Sequence, residues 1–232
     1  MASTGGSPEK AILYAFMANT GIAIAKLAAA LHTSSGSMMA EAIHSMADAG
    51  NQVLLYIGLK SAEKPADADH PMGYGKLSYF WSFIVALMLF SIGGIFSIYE
   101  GWHKLSSEIP LNDLSVAILV LAGAIVLESL SLAGALREAN LMRGERSFGY
   151  WLKHTRNAEI VVVLGEDAAA LIGLLLALGF LTMTLITGNP VYDALGSICI
   201  GVVLIIVAIF IAVRVQSLLV GKSAEPDLQA SI

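Results

Sequence analysis

The chain has 232 residues, 13 Lys and Arg against 18 Asp and Glu, a formal net charge of −5, and 56% hydrophobic but only 13% charged residues. Soluble domains carry roughly 25% charged residues, so this composition, with a mean hydropathy of +0.74, describes an all-α integral membrane protein. The acidic balance and the lack of a Lys/Arg-rich stretch exclude a nucleic-acid partner, and a single Cys, Cys199, excludes an intrachain disulfide framework.

Six apolar segments follow in chain order, each reaching the roughly 20 residues that a 30 Å hydrocarbon core requires. Residues 1–8, "MASTGGSP", read as a disordered N-terminus ahead of the first segment, about 9 to 32. No small-residue cleavage site follows a short apolar run, so this is a retained span and not a signal peptide. Lys26 lies inside it, where snorkelling to an interface and pairing with an acid are both open.

After the loop "TSSGS" the second segment, about 36 to 61, holds "EAIHSMADAGNQ". Glu41, His44 and Asp48 fall at i, i+3 and i+7, within ~60° of one another on a helix turning 100° per residue, and Asn51 extends the row. The loop "EKPADADHPMGYG" leads to the third segment, 76 to 104, with glycines in "FSIGGIFSIYEGW". The fourth, 112 to 142, carries Glu128 in "AIVLESLSLAG". The loop "RGERSFGYWLKHT" precedes the fifth, 157 to 187, where "GEDAAALIG" sets Glu166 and Asp167 among small residues that admit close helix packing. "TGNPV" then separates the fifth from the sixth, 191 to 219, which a cytoplasmic tail over 221–232 follows.

Lys and Arg set the orientation. The two termini, the second-to-third loop and the fourth-to-fifth loop hold Lys10, Lys60, Lys64, Lys76, Arg137, Arg143, Arg146, Lys153, Arg156, Arg214 and Lys222, and the opposite ends hold only Lys104. Both termini are therefore expected in the cytoplasm.

A charge at the centre of a span costs about 2.5–3.5 kcal/mol on an insertion scale, so four facing lipid would cost on the order of 10 kcal/mol. These groups must face one another or a water-filled path. One imidazole and two carboxylates suit a borderline dication such as Zn²⁺. The plainer alternative, polar groups that only tie helices together, applies most readily to Glu128 and Asn51. Intramembrane hydrolases are disfavoured because neither H-E-x-x-H nor G-x-S-x-G occurs. A proton-coupled carrier of another small solute, whose helices are typically broken at mid-membrane, fits poorly with segments free of Pro. A membrane scaffold without transport remains the third class.

The motifs also carry a resemblance. "SSGSMMAEAIHSMADAGNQVLL" nearly spells T-G-S-x₇-H-S-x-x-D, and "DADHPMGYGK" is similar to D-x-x-H-P-x-G-x-G-K of the cation diffusion facilitator family. The likeness extends over essentially the whole chain, and the adjacent Glu166 and Asp167 resemble the branch related to zinc transporter nine. It implies a homodimeric exporter of Zn²⁺, or of Fe²⁺, Mn²⁺, Co²⁺ or Cd²⁺, driven by proton antiport in the plasma membrane of a bacterium. The transport site would lie between the second and fifth helices on His44, Asp48 and Asp167. The family's fourth ligand position falls on Val163, so Glu166 or Glu41 would supply the missing oxygen. A weak loop site would use Asp67 and His70, with Tyr74 in place of a second His and a turn stabilised by Gly73 and Gly75. The glycine-rich third helix, with Trp81 and Phe83, would form the dimer seam. The tail is too short for a core of its own, and "PDLQASI" resembles the first turns of the soluble domain found in most members.

Overall fold

A computed structural model describes residues 8–106 and 113–222. The expectations for the disordered N-terminus, over 1–7, and for the tail, over 223–232, lie outside the described residues. Among these the chain is all α: α1 Pro8–Thr33, α2 Gly36–Ala62, α3 Lys76–Leu105, α4 Leu114–Arg143, α5 Phe148–His154, α6 Ala158–Thr187 and α7 Val191–Val220. The second and fifth apolar segments are thus α2 and α6. Among the described residues four helices, α3, α4, α6 and α7, are long and apolar enough to cross a membrane. In α2 the polar stripe from Glu41 to Gln52 lowers the hydropathy of its middle turns.

Ile24, Leu119, Leu130, Ile186, Ile206 and Val213 point outward and are more than half exposed, an outer surface suited to lipid and not to water. The interior is rich in small side chains, among them Ala40, Ala86, Ala117, Ala169, Ala177 and Ala208. Lipid tails are as apolar as Leu, so helices in a bilayer associate through close packing, which small residues permit.

That close approach is tightest between α3 and α7. A methyl group on Gly101 would sit 2.6 Å from the Ala194 carbonyl oxygen, and one on Gly201 would sit 2.7 Å from that of Gly94. The α3 glycines therefore seat a helix of the same chain, contrary to the dimer seam expected of them. Trp81 is likewise engaged internally, since a methyl on Gly58 of α2 would meet its Cβ at 2.9 Å. Phe83 packs on the core. Where Gly93 and Gly94 adjoin, Leu89–Ile95 winds as a π-helix within α3, a local widening of the turn that often marks functional sites.

The fourth-to-fifth loop is also more ordered than its sequence suggests. Ser147 caps α5 by accepting from the Tyr150 amide, and this short helix buries Trp151 against Ala139 and Leu164. A capped turn with one large apolar anchor folds even inside a basic connection.

At one end of the bundle α2 is fastened by Asp193, the first-turn acid of α7. Its carboxylate accepts from Ser35 Oγ at 2.6 Å, the Gly36 amide at 2.6 Å, the Ser37 amide at 3.2 Å and Ser37 Oγ at 2.5 Å. These amides are orphan donors of a helix N-terminus, where the macrodipole also favours a carboxylate. Lys104 of α3 donates to the Ser34 carbonyl beside them.

Candidate functional site: a carboxylate-lined cavity among four helices

The α2 stripe runs through the interior. Glu41, His44 and Asn51 are fully buried, and Asp48 keeps 18% of its side chain exposed. Each faces a different neighbour.

Glu41 pairs with Lys26 of α1 at 3.1 Å, and the same ammonium donates to Ser45 Oγ at 2.7 Å. Pairing, not snorkelling, is thus how Lys26 is kept inside the bundle, consistent with the rule that buried charges occur in partnership. The second Glu41 oxygen rests against Gly173 of α6, where any Cβ would collide with it. That oxygen has no hydrogen-bond partner.

His44 Nδ1 stands 3.5 Å from Asp48 Oδ1, too far for a good hydrogen bond. Both ring nitrogens of His44 and this Asp48 oxygen are buried without a partner. Asn51 Nδ2 donates to Glu166 Oε1 at 2.6 Å, joining α2 to α6. Ser131 of α4 donates to Asp167 Oδ2 at 3.0 Å, joining α4 to α6 from the other side.

Between these links lies a cavity of about 50 Å³ bounded by Asn19 and Ile22 of α1, Ser45, Asp48, Gln52 and Leu55 of α2, Glu128 of α4, and Val163, Glu166 and Asp167 of α6. Glu166 and Asp167 diverge by ~100° around the helix, yet both side chains reach this space from opposite flanks. Glu41 and His44 belong to the same stripe but do not line it. Among the described residues no three His, Cys, Asp or Glu side chains are gathered as a ready metal cluster. The cavity brings four acids to one space without converging them on one point.

Glu128 is the lining acid that the sequence did not place at the site. The missed signal is spacing, because Ala117, Leu121, Ala124, Glu128 and Ser131 fall at i, i+4, i+7, i+11 and i+14 on one face of α4. The first three are buried, and half-buried Glu128, next on the stripe, lines the cavity.

The loop pair behaves differently. Asp67 Oδ1 accepts from the Asp69 and His70 amides at 3.0 and 2.7 Å, and Oδ2 accepts from the Tyr74 hydroxyl at 2.7 Å. His70 stacks near Tyr74 with ring centroids 4.2 Å apart. The Tyr74 hydroxyl first, and then the His70 amide, hold the Asp67 carboxyl below its ordinary acidity range. Both oxygens are committed to closing a turn. Of the two glycines, only Gly73 uses the left-handed region, at φ 75°.

Residues 12–220 match the cation efflux transmembrane domain. The chain belongs to this family of membrane cation transporters, also known as cation diffusion facilitators. Its relatives include a protein named proton-coupled zinc antiporter SLC30A9, mitochondrial, from Xenopus laevis, 36% identical over 222 residues, which are 95% of this chain and 40% of that protein. The Homo sapiens protein of the same name is 35% identical over 224 residues, covering 95% and 39%. Metal tolerance protein C4 of Arabidopsis thaliana is 36% identical over 199 residues, covering 83% and 43%. The chain is thus related to the branch that its Glu-Asp pair resembled, and it spans about two-fifths of the length of these relatives.

Proposed function

We propose that the protein exports a divalent cation, Zn²⁺ foremost, in exchange for protons, through a site between α2 and α6. The observation that carries this reading is the cavity itself, where Asp48 from one helix meets Glu166 and Asp167 from the other inside a cation efflux domain. Buried carboxylates beside one another repel and are poorly solvated, so they require a cation or protons for company. A dication and a pair of protons are interchangeable in that role, which is the electrostatic basis of antiport.

His44 adds a nitrogen donor one helical turn from Asp48. Metal takes up neutral imidazole and ionised carboxylate, so loading expels protons, and protonation from the opposite side weakens the site and releases the ion. His44 and Asp48 are close but unbonded on the same face of α2, so both remain free to turn toward one ion. Asp167 is assigned as ligand, with Glu166 holding Asn51 and carrying protons beside it. An oxygen-rich site also favours Mn²⁺ or Fe²⁺ more than a thiolate site would. The zinc named for the vertebrate relatives keeps Zn²⁺ first.

On this reading all six long helices span the bilayer with both termini cytoplasmic, placing the Asp193 fastening on the far side. A homodimer is expected, with a surface other than the α3 glycines as its seam. The membrane is left open by the relatives, of which the vertebrate ones are named mitochondrial. None supports the bacterial plasma membrane expected from the sequence.

Proteoliposomes containing the purified protein test the reading. Zn²⁺ entry should accelerate when the lumen is acid and the outside alkaline, with matching loss of luminal protons. Zn²⁺ flux unchanged after a protonophore collapses the gradient would remove antiport, and no flux of any divalent metal would remove transport.

A further inference from the structure

We propose that Glu128 of α4 is a direct ligand of the transported dication, supplying the carboxylate that Val163 does not. This inference rests on the transport site proposed above and adds a third helix to it.

Three independent features carry it. Glu128 lines the same cavity as Asp48, Glu166 and Asp167, and Val163 contributes an apolar wall to that cavity. The space of about 50 Å³ is of the order needed for an ion with a water, whose share of liquid volume is about 30 Å³. Position is the second feature. Glu128, half-buried, follows buried Ala117, Leu121 and Ala124 on one face of α4, and the bond from exposed Ser131 to Asp167 at 3.0 Å ties this face to α6. The carboxylate is therefore presented to the site by a helix pinned one turn away.

The third feature is what the oxygens lack. Glu128 forms no hydrogen bond or ion pair among the described residues, in contrast to Glu41 with Lys26, Glu166 with Asn51 and Asp167 with Ser131. On the opposite wall, Asp48 Oδ1 and Gln52 Oε1 are buried without partners, and so are both nitrogens of the fully buried His44 behind them. Buried polar atoms left this way are rare in folded proteins, and a missing ion is one of their standard explanations. Glu128 shares its cavity with three other carboxylates, those of Asp48, Glu166 and Asp167. A residue that only tied helices together would have a donor to tie to. Glu128 faces acids, and a dication is the partner that satisfies both walls at once.

Calorimetric titration of the purified full chain with Zn²⁺ tests the assignment, with exposed Glu138 of the same helix as control. Glu128→Gln should weaken binding by more than 100-fold, beyond the 10–100-fold of a residue that only orients a ligand, and Glu138→Gln should bind as wild type. A second variant reads ligation directly. Glu128→Cys in a Cys199→Ser background should give a thiolate-to-metal charge-transfer band with Co²⁺, and Glu138→Cys should not. A smaller loss in Glu128→Gln, or Co²⁺ bound by Glu128→Cys without the band, overturns the proposal. Asp48→Asn binding Zn²⁺ as wild type, with Glu128→Gln impaired, would instead remove the α2 half of the site and leave Glu128 a ligand. Wild-type protein that binds no Zn²⁺ would overturn both.

Discussion

Two buried polar assemblies share α2, and they are built on opposite terms. At its N-terminus the Asp193 carboxylate accepts four hydrogen bonds from Ser35, Gly36 and Ser37. In its middle, Glu41, His44, Asp48, Asn51 and Gln52 each leave at least one buried atom unpartnered. A carboxylate whose donors all come from the protein is finished, and it serves as a fastening. A group of donors and acceptors left incomplete has stability still to gain from something that enters. Burial alone does not separate structural from functional charges. Satisfaction does.

The comparison breaks most decisively with metal present. Asp48→Asn and Asp167→Asn should lose Zn²⁺ binding and transport altogether. Wild-type protein at a Zn²⁺ concentration 100-fold above its Kd should gain about 2.7 kcal/mol of stability, and these variants should gain none. Thermal unfolding in detergent with and without Zn²⁺ measures both. Without metal the variants should unfold no earlier than wild type, because each removes a charge from among like charges. A large metal-free destabilisation would mean that the cavity is a fastening too.

Asp193→Ala is the converse experiment. It strips the acceptor from buried amides and hydroxyls, each costing about 1–3 kcal/mol when left unsatisfied, so the loss should reach about 3 kcal/mol or more without metal. The increment that Zn²⁺ adds should persist. An Asp193→Ala protein of wild-type stability would remove the distinction drawn here.

Within the site the contrast narrows to adjacent residues. Glu166 is bonded to Asn51 and Asp167 to Ser131, so the hydrogen bonds do not rank them. Glu166→Gln keeps an acceptor for Asn51 and should weaken Zn²⁺ binding by about 10–100-fold, the effect of an outer group, while altering the pH dependence of transport. Complete loss there, with binding retained in Asp167→Asn, reverses the two roles.

Much of this was legible in the sequence, for reasons that differ by residue. Long apolar runs fix helices because a bilayer leaves backbone groups no other partner, and α2, α4, α6 and α7 fall within two residues of the segments expected. Glu41, His44 and Asp48 were legible because charge is costly inside a span. What was not legible depends on contacts across the bundle. No local pattern says that Lys26 takes Glu41, that Gly94 and Gly101 seat α7, or that Trp151 orders a basic loop. Glu128 lay between the two cases, since its stripe is in the sequence but the cavity it faces is not.

The smallest effect concerns the loop, a satisfied assembly on the surface. Asp67 is half exposed, and its carboxyl is held below the ordinary range first by the Tyr74 hydroxyl and next by the His70 amide. A group whose folded acidity is depressed contributes stability above its unfolded value and loses it as pH falls through the folded one, so the turn should loosen only in acid, below the ordinary carboxylate value of about 3.9. The same hydrogen bond raises Tyr74, so its share is present below about 10, the ordinary tyrosine value, and is lost as pH rises through the folded one. Tyr74→Phe removes the larger cause and keeps the amide bonds. The Asp67 carboxyl, followed by ¹³C NMR, should then titrate closer to its ordinary range without reaching it, and Zn²⁺ transport at neutral pH should not change. If Tyr74→Phe leaves the titration where it was, the hydroxyl does not close the turn. If transport falls with it, the loop is no mere fastening, and the division between finished and unfinished polar groups fails where it is easiest to test.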